Sequence, residues 1–112
     1  MSQPFSPAEI ETARNVPFKI VLEHLGAYVK QDKEYQPLDP ERRSMRLQIG
    51  FKQRDFRLAV TGEKFVNELL PIDALNRGGG GSIDLVKHLT GLGFVPAVKV
   101  CLDAARAQAV RR

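Results

Sequence analysis

Few residues in this chain have side chains that do chemistry. Its imidazoles are His24 and His88, and its only thiol is Cys101. Both histidines fall in segments of helical periodicity, far apart in sequence. No Cys-x-x-Cys or His-x3-His spacing occurs, so a tetrahedral zinc site has no ligand set. Cys101 shares an apolar helical stripe with Val98, Leu102 and Ala105, which points to core packing rather than reactivity. No serine or cysteine nucleophile stands beside a recognisable base, and the carboxylates are scattered. The residues predict neither a catalytic site nor a metal nor a cofactor.

Positive charge is the stronger signal. Between Arg42 and Lys64 stand Arg42, Arg43, Arg46, Lys52, Arg54, Arg57 and Lys64, against Asp55 and Glu63. That segment carries +5, more than the +4 of the whole chain. Clustered cations suit the phosphates of a nucleic acid, although a solvated sheet face gives the same pattern. The second signal is Arg77-Gly78-Gly79-Gly80-Gly81-Ser82-Ile83-Asp84. Glycine costs ordering entropy in regular structure, so such a run marks unusual dihedrals or a close approach. It leads into a helix for which Ser82 is the expected N-cap and Asp84 a first-turn carboxylate. The run lacks the lysine of a phosphate loop and the strand–helix–strand frame of a dinucleotide site. A soluble nucleotide is therefore not the expectation. Contact with one phosphate of a polymer, through Arg77, Gly79, Gly80 and Ser82, is one reading, and a tight structural corner is the other.

The elements that must position these residues follow from local pattern. Ser6-Pro7-Ala8-Glu9 is a capping box opening a helix from Pro7 to about Arg14. Pro17 interrupts it and starts a second helix, with Phe18, Val21, Leu22 and Leu25 on one face and Gly26 as terminator. Lys30 to Arg43 reads as a loop, broken by Pro37 and Pro40. Met45, Leu47, Ile49 and Phe51 then alternate with polar residues, and so do Phe56, Leu58 and Val60. A turn at Gln53-Arg54 joins these two strands, and Thr61-Gly62-Glu63-Lys64 leads to a short third strand at Phe65-Val66. Leu69 to Leu75 is a helical turn or an irregular crossing. After the glycine run come a short helix, a break at Gly91-Leu92-Gly93, and a last helix from Phe94 to about Val110, with Phe94, Val98, Cys101, Leu102 and Ala105 buried. The basic residues Arg46, Lys52 and Arg57 fall on the polar face of the strands, while Phe51 and Phe56 point inward. Tyr28 and Tyr35 lie in or near the loop, where they give little support for base stacking.

The chain has 112 residues, 43% of them hydrophobic and 27% charged. Those proportions suit one globular domain with a modest core. A single cysteine excludes an internal disulfide and suits a reducing, cytoplasmic setting. No apolar run reaches membrane-spanning length, and the N-terminus lacks the pattern of a signal peptide.

The order of elements carries a resemblance. Val16-Pro17, Leu22 and Leu25-Gly26 precede the strands and Thr61-Gly62-Glu63-Lys64-Phe65. Gly78-Gly79-Gly80-Gly81-Ser82-Ile83-Asp84-Leu85-Val86-Lys87-His88-Leu89 and Gly91-Leu92-Gly93-Phe94-Val95-Pro96-Ala97-Val98 follow. This arrangement resembles the zinc-binding N-terminal domain of bacterial DNA primases, above all the versions in plasmid, phage and conjugative elements. The likeness runs from about Val16 to Leu102. The family's Cys and His ligands are absent: Tyr35-Gln36-Pro37-Leu38 and Val66-Asn67-Glu68-Leu69 stand where they would fall. The resemblance implies a small antiparallel sheet packed by helices, stabilised without the metal staple. It also implies single-stranded template DNA as partner. The chain lacks room for the catalytic primase fold.

The reading is thus an α+β module over residues 1–112, with an N-terminal helix in 1–15 and a core in 16–110. A three-stranded antiparallel sheet is packed by about four helices, in a primase-like zinc-finger fold without zinc. The expected function is DNA binding in replication, priming or transfer of a mobile element. The expected contacts are Arg46, Lys52, Arg54, Arg57, Lys64, Arg77, Gly79, Gly80 and Ser82. A primase, polymerase or relaxase is a possible protein partner, and neither a membrane nor a small-molecule substrate is expected. The alternative is a protein-docking module that never touches DNA, with an exposed apolar patch around Leu69-Leu70-Pro71-Ile72.

Overall fold

The computed structural model describes residues 4–33, 44–74 and 77–110. Most of the expected Lys30–Arg43 loop, including Tyr35, Arg42 and Arg43, lies outside the described residues. Helix α1 spans Pro7–Arg14 and α2 spans Phe18–Leu25. The capping box is reciprocal: Glu9 N–H donates to Ser6 Oγ at 3.1 Å, and Ser6 N–H donates to Glu9 Oε1 at 3.0 Å. Gly26 ends α2 in the left-handed region, at φ 73°, as glycine does most easily.

Five strands follow, not three: β1 Tyr28–Gln31, β2 Ser44–Phe51, β3 Arg54–Thr61, β4 Lys64–Asn67 and β5 Gly78–Gly80. They form one antiparallel sheet in chain order. Two strands escaped the sequence reading for different reasons. β1 is only four residues long and exposed throughout, so it shows no alternating burial. β5 consists of glycine, which has no side chain to alternate and is depleted in strands. Its backbone nevertheless pairs with β4, Gly79 opposite Phe65 and Gly78 opposite Val66. The β2–β3 turn is Lys52-Gln53 rather than Gln53-Arg54, because Phe51 pairs with Arg54. Both turn residues have positive φ, 49° and 65°, the primed geometry that matches strand twist.

Helices α3 (Gly81–Thr90) and α4 (Phe94–Val110) complete the chain. α3 is apolar on two sides. Leu85 and Leu89 join Leu22, Ile49, Phe56, Leu58, Val60 and Phe65 in the core against the sheet. Ile83 and Val86 join Ala13, Val16, Val21, Val98 and Cys101 in a second core against α1 and α4. The layers are therefore sheet, then α2 with α3, then α1 with α4. Phe94 begins α4 as a partly exposed side chain, not a buried one. Leu69 to Ala74 is an irregular crossing, closed by Ala74 N–H donating to the Pro71 carbonyl at 3.0 Å.

The glycine run is a joint between β4, α1 and α3. A Cβ on Gly78 would fall 2.2 Å from the Phe65 carbonyl oxygen. Gly81 has φ +85°, and a Cβ there would meet Arg14 Cγ at 2.6 Å. Gly80, not Ser82, is the N-cap of α3, because β5 runs straight into the helix. Ser82 is buried inside the first turn, and its hydroxyl donates to the Val16 carbonyl. That carbonyl stands at the break which Pro17, without an N–H, imposes on α1.

Four substitutions probe this backbone. Gly81→Ala should lower stability by about 1–3 kcal/mol through its left-handed dihedral, and Gly78→Ala should break the β4–β5 pairing. Gly80→Ala meets nothing closer than 3.9 Å and should leave urea midpoints unchanged or slightly raised. Gln53→Gly should add roughly 1 kcal/mol by relieving the left-handed turn, read as a higher melting temperature.

Candidate nucleic-acid interface

The alternation that buries Ile49, Phe56, Leu58, Val60 and Phe65 sends the intervening residues to the other face. On that outer face the register sets Tyr28 beside Gly50, Lys30 beside Gln48, and Gln48 beside Arg57. Arg46 pairs with Ala59, and Ala59 with Val66. Each described helix contributes to a core on the inner side. Among the described residues the outer face carries four cations, Lys30, Arg46, Arg57 and Lys64, together with three carboxylates, Asp32, Asp55 and Glu68.

Arg46 sits at the centre of an ionic ladder. Its Nε donates to Glu68 Oε1 at 2.7 Å and its Nη2 to Glu68 Oε2 at 3.1 Å. Asp32 Oδ2 lies 3.5 Å from Nη1. The hydrogen bond to Glu68 is the main cause holding the guanidinium pKa above its ordinary value, against a smaller opposing effect of desolvation. This bidentate pair clips β2 to the end of β4 across β3. Arg46 is thereby neutralised by its own chain, a partnership that strand spacing cannot reveal.

Arg57 is different. Its Nε is buried and has no hydrogen-bond partner. A buried unpartnered donor is rare in a folded protein and calls for a reason. Its main chain is well held: its N–H donates to Asn67 Oδ1 at 3.4 Å, and its carbonyl accepts from Glu68 N–H at 2.7 Å.

The remaining expected contacts disperse. Lys64 opens β4 and is exposed. Lys52 lies in the turn, with Nζ 5.4 Å from the Phe51 ring centroid. Arg54 has the parity of Phe56 and packs over that ring at 5.3 Å, away from the outer face. Arg77 donates from Nε to the Leu70 carbonyl at 3.3 Å, closing the crossing after β4. Gly79 must stay small because a Cβ there would meet Asp84 Cβ at 2.8 Å, and Asp84 Oδ2 accepts from Gly80 N–H at 3.1 Å. Ser82 is buried with its hydroxyl committed, so it has no surface to offer a nucleic acid. The residues that sequence reasoning missed are Tyr28, Lys30 and Gln48. Tyr28 is 68% exposed, on a strand whose only signal in the sequence was its position just after the Gly26 stop.

Behind β4 lies a polar pair. Asn67 Oδ1 also accepts from Leu69 N–H at 3.1 Å, and Asn67 Nδ2 stands 3.0 Å from His88 Nε2. The His88 ring meets Phe56 and Phe65 edge-on, with centroids 5.7 and 5.6 Å away. His88 is thus a packing histidine that joins α3 to the sheet. Among the described residues no group of three or more His, Cys, Asp or Glu is placed to hold a metal ion, and no single helix is long and apolar enough to cross a membrane.

No protein-family model, curated protein or solved structure matches the chain.

Cys101 is fully buried between α4 and its neighbours, and burial pushes its thiol up to about 12 from an ordinary 9. Above pH 9 the unfolded chain loses this proton while the folded chain keeps it. Stability should therefore fall as pH rises from about 9 towards 12, by at most about 1.4 kcal/mol per pH unit from this group. Cys101→Ala should remove this contribution, so the stability difference between wild type and variant should change with pH across this range in urea titrations. A thiol reagent at pH 7.5 should label Cys101 only on unfolding.

Proposed function

We propose that the chain binds single-stranded nucleic acid, with DNA the favoured form, on the outer face of its sheet. The observation that carries this reading is the register that gathers Arg57, Lys30 and Lys64 on that face beside the exposed ring of Tyr28. A phosphate is the partner that such clustered cations suit. Lys30, Gln48 and Lys64 supply further polar contacts. Tyr28, exposed beside Gly50, supplies a surface on which any base can stack. The resemblance to primase zinc-binding domains supports the same reading. On this reading the module would serve priming, replication or transfer of a mobile element, in the cytoplasm and without a catalytic role. Arg46 contributes little while Glu68 and Asp32 hold it.

Fluorescence anisotropy with a labelled single-stranded oligonucleotide tests the reading. Three phosphate contacts would give a log–log salt slope near −2. Arg57→Gln with Lys30→Glu should weaken binding at least tenfold while leaving the melting temperature close to wild type. Asp32→Asn with Glu68→Gln should tighten binding by releasing Arg46. Absence of binding at micromolar protein and low salt would overturn the proposal.

A second reading, a protein-docking module, is favoured by one observation: Ile72 and Leu69 are 88% and 47% exposed in the crossing after β4. If it is right, Ile72→Asp should abolish partner capture that survives nuclease treatment, and charge reversal on the sheet should do nothing.

A further inference from the structure

A second concave site lies on the opposite side of the sheet, where α3 passes the ends of β3 and β4. The cleft has a volume of about 510 Å³ and is lined by Arg54, Phe56, Asn67, Lys87, His88 and Leu92, among others. That size falls within the range of small-ligand pockets. Its floor is fixed. Asn67 Oδ1 accepts from two main-chain N–H groups, so its amide nitrogen is turned to His88 Nε2 at 3.0 Å. The His88 ring is in turn held edge-on by Phe56 and Phe65. Its walls are Leu92 and the Arg54 side chain, behind which Phe56 is only 3% exposed. Its charge is positive. The Arg54 guanidinium lies over Phe56 at 5.3 Å, and Lys87 projects from α3. Neither cation forms an ion pair among the described residues. The one carboxylate on the rim, Asp84, is turned to the Gly80 N–H at 3.1 Å.

Two cations, one a planar guanidinium backed by the Phe56 ring, beside an ordered polar floor match a phosphate carried on a small flat body. We infer that this cleft binds a nucleoside monophosphate, either free or as the 5′-phosphorylated end of a strand. The site shares no side chain with the outer face, so it stands or falls independently of nucleic-acid binding there.

The test is a titration of the isotopically labelled full chain with deoxyadenosine monophosphate, followed by NMR of the His88 ring and the backbone amides of Lys87 and Leu92. Saturable shifts in the millimolar range are expected. Affinity should fall at least fivefold in Lys87→Gln with Arg54→Gln and recover in Lys87→Arg with Arg54→Lys. Inorganic phosphate should bind at least tenfold more weakly than the nucleotide. No saturable shift, shifts undiminished in the double variant, or equal binding of inorganic phosphate would each overturn the assignment. Oligonucleotides with and without a 5′ phosphate separate the two sources. A preference for the phosphorylated end that Lys87→Gln removes identifies the strand terminus, and nucleotide binding without such a preference identifies the free nucleotide.

Discussion

The contact on which the rest of the structure depends is the seating of the glycine joint between β4, α1 and α3. Gly78 lies against the Phe65 carbonyl, Gly81 lies against Arg14, and the Ser82 hydroxyl holds the Val16 carbonyl. These contacts fix the start of α3, a helix that is apolar on two sides. Through α3 the sheet core and the helical core share one wall. A side chain larger than hydrogen at Gly78 or Gly81 would push that wall outward, because densely packed interiors transmit strain rather than absorb it. The glycine run thus serves the fold directly. A phosphate is not needed to explain it.

Stacking all four helices on one side of the sheet has an electrostatic consequence. The outer face keeps its charges in water, and the chain distributes them unevenly. Arg46 is answered twice, by Glu68 and Asp32, and so becomes a clip across the strands. Arg57, two rows along, keeps a buried donor with no acceptor. Among the described residues the cluster of cations therefore resolves into one structural cation, Arg46, one with an unsatisfied donor, Arg57, one exposed at the start of β4, Lys64, and two that leave the face, Lys52 and Arg54. Arg54 and Lys52 turn onto aromatic rings, where cation–π contact and apolar cover reward them.

Much of this architecture was legible from residue order. The capping box at Ser6, the proline break at Pro17, the terminator at Gly26 and the alternation from Met45 to Val60 each act through local backbone chemistry. They set α1, α2, β2 and β3 where pattern placed them. The inward burial of Phe56 and Cys101 followed from the same periodicities. β1 and β5 were not legible. Four exposed residues and three glycines carry no hydrophobic period, and they become strands only because β2 and β4 offer unpaired backbone edges beside them.

The candidate site was less legible than the fold. Sequence alone determined that this protein is an α+β chain with a cation-rich sheet and a glycine run that demands close approach, since dihedral preference and periodicity are local properties. Tertiary structure decided which cations remain available, that Tyr28 and Lys30 share a face with Arg57, and that Ser82 is interior. Those outcomes depend on which residues meet across strands some 10–25 positions apart, as Arg46 meets Glu68. Register and layer order choose such pairs, and neither can be read from neighbours in the chain.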